Sequence, residues 1–121
     1  MLAMLPNNLM NIPKCEDLVQ CAFNLNEFEV SIYRKLVEVG PSRADEIAEA
    51  IGRDRSTVYR SLQKLLSCGI VFRETRSIER GGYFHVYIPI SKQMMIEKLE
   101  RCVDEWYQRM ISILSKFGED F

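Results

Sequence analysis

Residues 53–65 read RDRSTVYRSLQKL. Val58, Leu62 and Leu65 recur at i, i+4 and i+7, with Leu66 at i+8, which is the stripe that buries one side of a helix. Asp54 stands before the first turn as a cap, and Cys68-Gly69 closes the element. Arg53, Arg55, Ser56, Thr57, Tyr59, Arg60, Gln63 and Lys64 point away from the stripe to varying degrees. All carry hydrogen-bonding groups suited to phosphates and base edges.

Net charge gives that face its meaning. The 121-residue chain has 16 Lys and Arg against 17 Asp and Glu, a net charge of −1. Residues 1–52 hold 4 basic and 8 acidic groups (−4), residues 53–82 hold 7 and 3 (+4), and residues 83–121 hold 5 and 6 (−1). Positive charge is concentrated on the middle segment, the electrostatic footprint of a surface that meets a polyanion.

Upstream, Asn26 with Glu29 forms a capping box, and Leu25 with Val30 a hydrophobic staple, for a helix running to Val39. Its stripe is expected to be Val30, Tyr33, Leu36 and Val37, and Gly40-Pro41 supplies the stop. Ser42 with Asp45 is expected to cap a second, short helix that buries Ile47, Ala48 and Ile51 and ends at Gly52. Two short helices with a tight turn between them, the second carrying polar donors, form a helix-turn-helix whose second helix can enter a DNA major groove.

Downstream, residues 70–77 and 83–90 are rich in β-branched and aromatic side chains, and Glu79-Arg80-Gly81-Gly82 supplies a hairpin turn between them. A hairpin directly after the second helix makes a wing. Arg73, Arg76 and Arg80 lie on it or near its tip, within reach of the DNA backbone or the minor groove.

The run GPSRADEIAEAIGRDRSTVYRSLQKLLSCGIV, followed by the basic hairpin, resembles the DNA-binding domain of archaeal and bacterial winged-helix regulators of the TrmB and MarR type. The resemblance spans about residues 26–90, and its most specific part is RSTVYRSLQKL. It implies transcriptional regulation, with Ser56, Thr57, Tyr59 and Arg60 in positions that face the groove or its phosphates. Full-length TrmB-type regulators also carry a large C-terminal effector domain. This chain shows none, so the resemblance implies no sugar-sensing role.

From Lys92 onward, Ile96, Leu99, Val103, Trp106, Met110, Ile113 and Phe117 alternate in steps of three and four, a heptad seam three repeats long. So narrow a seam is expected to pair with the same helix of a second subunit, giving a homodimer. The alternative is packing on the N-terminal helix of the same chain, at about residues 14–23. Tyr107 and Leu114 beside the seam are expected to meet the apolar residues between Leu2 and Ile12.

Other chemistry finds little material. The single histidine, His85, sits mid-strand without a second ligand at metal spacing, and no Gly-rich phosphate loop or nucleophile elbow appears. No catalytic residue, metal or cofactor is expected, and no small-molecule effector is specified. Pro6 and several Asn residues break the apolar N-terminus, and no run reaches the roughly 20 apolar residues of a membrane span. Four cysteines without CxxC spacing fit free, mostly buried thiols in a reducing cytoplasm.

The sequence therefore predicts a mostly α fold with a small β-hairpin. An N-terminal extension with a short helix covers residues 1–25, a winged helix-turn-helix residues 26–90, and a dimerisation helix residues 91–121. The expected function is sequence-specific binding of double-stranded DNA by a cytoplasmic homodimeric transcriptional regulator. The competing reading is a winged helix used as a protein-interaction module, which would have no need of the basic face. RNA ranks lower because no aromatic stacking platform is evident.

Overall fold

The computed structural model describes residues 15–121 as six helices and one two-stranded antiparallel hairpin. In chain order these are α1 (Cys15–Phe23), α2 (Glu27–Val39), α3 (Ala44–Ile51), α4 (Arg55–Ser67), β1 (Val71–Ser77), β2 (Tyr83–Pro89), α5 (Lys92–Ser115) and α6 (Phe117–Asp120). They fall into two compact units that divide between Ile90 and Ser91. The segment Leu2 to Ile12, expected to meet Tyr107 and Leu114, lies outside the described residues.

The starts of α2 and α4 follow from local chemistry. Asn26 Oδ1 accepts the Glu29 N–H at 2.7 Å while Glu29 Oε1 accepts the Asn26 N–H at 2.9 Å, so two of the orphan donors of the first turn are satisfied reciprocally. Asp54 Oδ2 accepts the Thr57 N–H at 3.0 Å. Gly40, after α2, and Gly52, after α3, take φ of 85° and 79°, the left-handed region that ends helices at little cost only with glycine.

The buried face of α2 differs from the expected stripe. Val30 and Leu36 are buried and Tyr33 half-buried, but Val37 is 57% exposed and Ile32 is fully enclosed. α2 is covered on several sides, by α1, α3, α4 and β2, so its apolar arc is wider than one stripe and reaches Ile32. The core of this unit is Ile32, Leu36, Ile47, Val58, Leu62, Leu65 and Ile70, none of which retains accessible surface.

Ser42 is a second correction. Arg43 occupies the cap position of α3, its backbone N–H donating to Glu46 Oε1 at 2.8 Å. Ser42 is buried instead, its N–H donating to the Tyr87 carbonyl at 3.1 Å and its carbonyl accepting the Tyr87 N–H at 2.8 Å. This bridge lays the α2–α3 connection alongside β2 and holds Ser42 extended, so a contact 45 residues away overrides the local capping preference.

β1 and β2 pair from Val71↔Pro89 to Ser77↔Tyr83, joined by residues 78–82, in which Gly81 and Gly82 both adopt positive φ. Two helices in a helix-turn-helix followed by this hairpin make a winged helix. In the second unit, Ser91 Oγ accepts the Met94 N–H at 3.1 Å and starts the long helix α5. α5 ends at Ser115, and Phe117 belongs to α6, where its ring stacks on Phe121 at 4.6 Å. Among the described cysteines, Cys68 and Cys102 are half-buried free thiols and Cys21 is exposed, contrary to the burial expected of it.

Candidate nucleic-acid interface

Helical geometry separates the two sides of α4. Val58, Ser61, Leu62 and Leu65 are buried, while Arg55, Ser56, Tyr59 and Arg60 are exposed on the opposite arc. Thr57 and Lys64 flank that arc and are half-buried. Gln63 lies within the arc by spacing but is also half-buried, and its Nε2 is enclosed without a hydrogen-bond partner among the described residues. Arg53 stands before the helix, and its guanidinium lies 4.7 Å from the centre of the Phe28 ring, which holds it beside α2.

The first turn of α4 is wired together. Thr57 Oγ1 donates to Asp54 Oδ1 at 2.6 Å, and Arg60 Nη2 donates to Thr57 Oγ1 at 3.4 Å. The Thr57 hydroxyl, then its backbone N–H, hold the Asp54 carboxyl below its ordinary pKa. Asp54 is therefore an anion at neutral pH at the positive end of the helix dipole.

On the wing, Arg73, Arg76 and Arg80 are all exposed but not equivalent. Arg76 Nε is 3.2 Å from Glu74 Oε1, so part of its charge is already answered. Arg73 stands opposite Tyr87 in the register, and Arg80 occupies the turn.

A groove of about 320 Å³ opens between the first turn of α3, the start of α4 and β2. Arg43, Asp45, Arg55, Tyr59, Tyr83, Phe84 and His85 are among its lining residues. The Arg43 guanidinium lies 4.9 Å from the centre of the Phe84 ring and its Nε is 3.4 Å from Asp45 Oδ1. The Tyr83 and His85 rings are 5.6 Å apart, and His85 Nδ1 is 3.1 Å from Thr75 Oγ1. Reading the sequence leaves Arg43 and Tyr83 out of the interface. Their one signal, a cation and an aromatic flanking glycine turns, carries no information about the Ser42–Tyr87 bridge that draws α3 and β2 together.

Along α5, Ile96, Val103, Met110 and Ile113 are exposed, and Leu99 and Trp106 half-buried. Phe117 is exposed on α6, so the seam passes the helix break at Lys116. Among the described residues no helix is long and apolar enough to cross a membrane.

A family model described as the sugar-specific transcriptional regulator TrmB matches residues 19–93. The uncharacterized protein MJ1082 of Methanocaldococcus jannaschii is 36% identical over 105 residues, 87% of each chain. A solved structure described as a possible transcriptional regulator from Methanosarcina mazei Go1 superposes with a TM-score of 0.77 at 27% identity, covering 85% of this chain and 88% of that one. A MarR protein from Peptoclostridium difficile shares the fold, with a TM-score of 0.53 at 18% identity over 94% of this chain and 82% of its own.

Proposed function

The chain belongs to the TrmB family of transcriptional regulators, and on that premise we propose that it binds double-stranded DNA sequence-specifically as a homodimer. α4 enters the major groove and the β1–β2 wing lies on the flanking backbone or in the minor groove. The observation that carries this reading is the division of α4 into a buried apolar arc and an exposed arc of Arg55, Ser56, Tyr59 and Arg60. Within a chain of net charge −1, that arc and the three wing arginines collect cations where a duplex would meet them.

Arg55 and Arg60 supply forked donors that match guanine edges or phosphates and Ser56 a hydroxyl at the helix start. Thr57, whose hydroxyl hydrogen is committed to Asp54, positions Arg60, and Lys64 and the outer edge of Gln63 extend the contact along the helix. Arg53, Arg73, Arg76 and Arg80 contribute charge to the flanking backbone. The largely exposed stripe from Ile96 to Phe117 supports self-association, and a DNA-binding role fits the cytoplasm, where the DNA is.

The deciding experiment is selection of fragments of the source genome by the purified protein across a salt series, followed by footprinting of those retained. Sequence-selective retention that disappears in the folded double variant Arg55→Ala/Arg60→Ala is the expected result. A double variant that binds the selected fragments as tightly as wild type would sink the reading and promote the protein-interaction module.

A further inference from the structure

We propose that the groove between α3, α4 and β2 seats one DNA backbone unit, a phosphodiester with its deoxyribose, and that Arg43 and Tyr83 are the residues that hold it. The proposal rests on the DNA-binding reading and extends it to residues outside the α4 arc and the three wing arginines.

Charge selects the ligand. Of the two cations lining the groove, Arg43 is tied through Nε to Asp45, whereas the Arg55 guanidinium has no partner among the described residues. With Asp45 included, the three side chains sum to one positive charge. That matches the single negative charge of a phosphodiester better than the double charge of a terminal phosphate.

The walls select the rest. Tyr59, Tyr83 and Phe84 give the groove aromatic surface that a bare anion has no use for, while a deoxyribose offers an apolar face to pack against it. Arg43 is also flanked, its guanidinium carbon 4.9 Å from the centre of the Phe84 ring and its Nε beside Asp45, while its terminal nitrogens keep donors to spare. A guanidinium flanked on two sides loses less side-chain entropy on binding than one free in solvent. Because Arg55 and Tyr59 belong both to the groove and to the exposed arc of α4, a backbone unit seated here fixes the register in which the helix meets the bases.

The test uses the full chain and a duplex carrying a selected site, with one backbone phosphate at a time replaced by a neutral methylphosphonate. Affinity is read by fluorescence anisotropy at fixed salt. For the wild type, each phosphate that meets a cation should lose affinity, and the one seated in the groove, in each half-site, should cost about tenfold, the size of a charge-assisted hydrogen bond. At that same position Arg43→Ala should lose less than about twofold, because the contact is already gone. Tyr83→Ala should weaken the unmodified duplex and reduce the same penalty, and Asp45→Asn, which releases Arg43, should tighten binding to every duplex. Circular dichroism checks each variant; Arg43→Ala keeps the backbone N–H that caps α3.

Equal methylphosphonate profiles for wild type and Arg43→Ala would overturn the inference while leaving DNA binding intact. So would weaker binding by Asp45→Asn. A wild-type protein that selects no fragment would instead defeat the functional reading beneath it, and the inference with it.

Discussion

Asp54 shows how one residue serves both the fold and the face it adjoins. Its carboxylate takes two hydrogen bonds from Thr57, and Thr57 Oγ1 in turn receives one from Arg60, so the cap, the first turn and a candidate base-reading arginine are connected. Because those bonds lower the Asp54 pKa in the folded state, the stability it contributes is complete above the ordinary carboxylate range and is lost as pH falls through the depressed value. Asp54→Asn keeps a side-chain acceptor but no titrating group. Urea melts should therefore show the wild type's advantage over this variant shrinking between neutral pH and about pH 3, and a constant difference would refute the linkage. For Arg60→Ala, the cost should be roughly 1–3 kcal/mol on the selected site and less on random duplex if Arg60 grips a guanine edge. Equal losses on both would make it a phosphate contact.

Elements of this chain were legible where their determinants are local. The Asn26 and Asp54 caps, the stops at Gly40 and Gly52 and the alternation of α4 involve residues within about four positions of one another, so sequence spacing encodes them. Ser42 misleads because its partner is Tyr87, and Arg43 and Tyr83 go unnoticed for the same reason: the groove they line exists only once the hairpin has folded back on α3. The width of the α2 arc likewise depends on several neighbours, which no single periodicity reports. Burial makes the legible part testable. Leu62→Ala, at a site with no accessible surface, should lower unfolding free energy by about 2–5 kcal/mol in denaturant melts. On the wing, the Glu74–Arg76 pair predicts unequal arginines. Arg80→Ala should lower the salt slope of DNA binding by about one unit and weaken all sequences alike, whereas Arg76→Ala should do less and Glu74→Gln should strengthen binding. Indistinguishable effects of the two alanine variants would show that Glu74 does not restrain Arg76.

At the scale of the whole molecule the unanswered surface is the apolar stripe of α5. Ile113 is 62% exposed, and Val103, Tyr107, Met110 and Leu114 are exposed with it. A run of side chains this large in contact with water is unfavourable at roughly 25 cal/mol per Å² of apolar surface, and a second copy offers an identical stripe to cover it. The seam's steps of three and four suit helix-on-helix packing, and a two-fold axis would then present two α4 helices to one face of DNA, about 34 Å apart, one turn of the duplex. Sedimentation should give a dimer at micromolar concentration, and Trp106→Glu with Met110→Glu should sediment as a monomer whose helix content, by circular dichroism, is retained. Spacing supplies the stricter check. Lengthening the interval between half-sites by about 5 base pairs turns one half-site to the opposite face of the duplex, and should reduce wild-type affinity to that of a single half-site, while about 10 added base pairs restores the facing but not the distance. The monomeric variant should bind all three duplexes equally. Wild-type affinity that ignores the insertion would mean that the two half-sites are read independently, and that the stripe on α5 serves some purpose other than joining two DNA-reading heads.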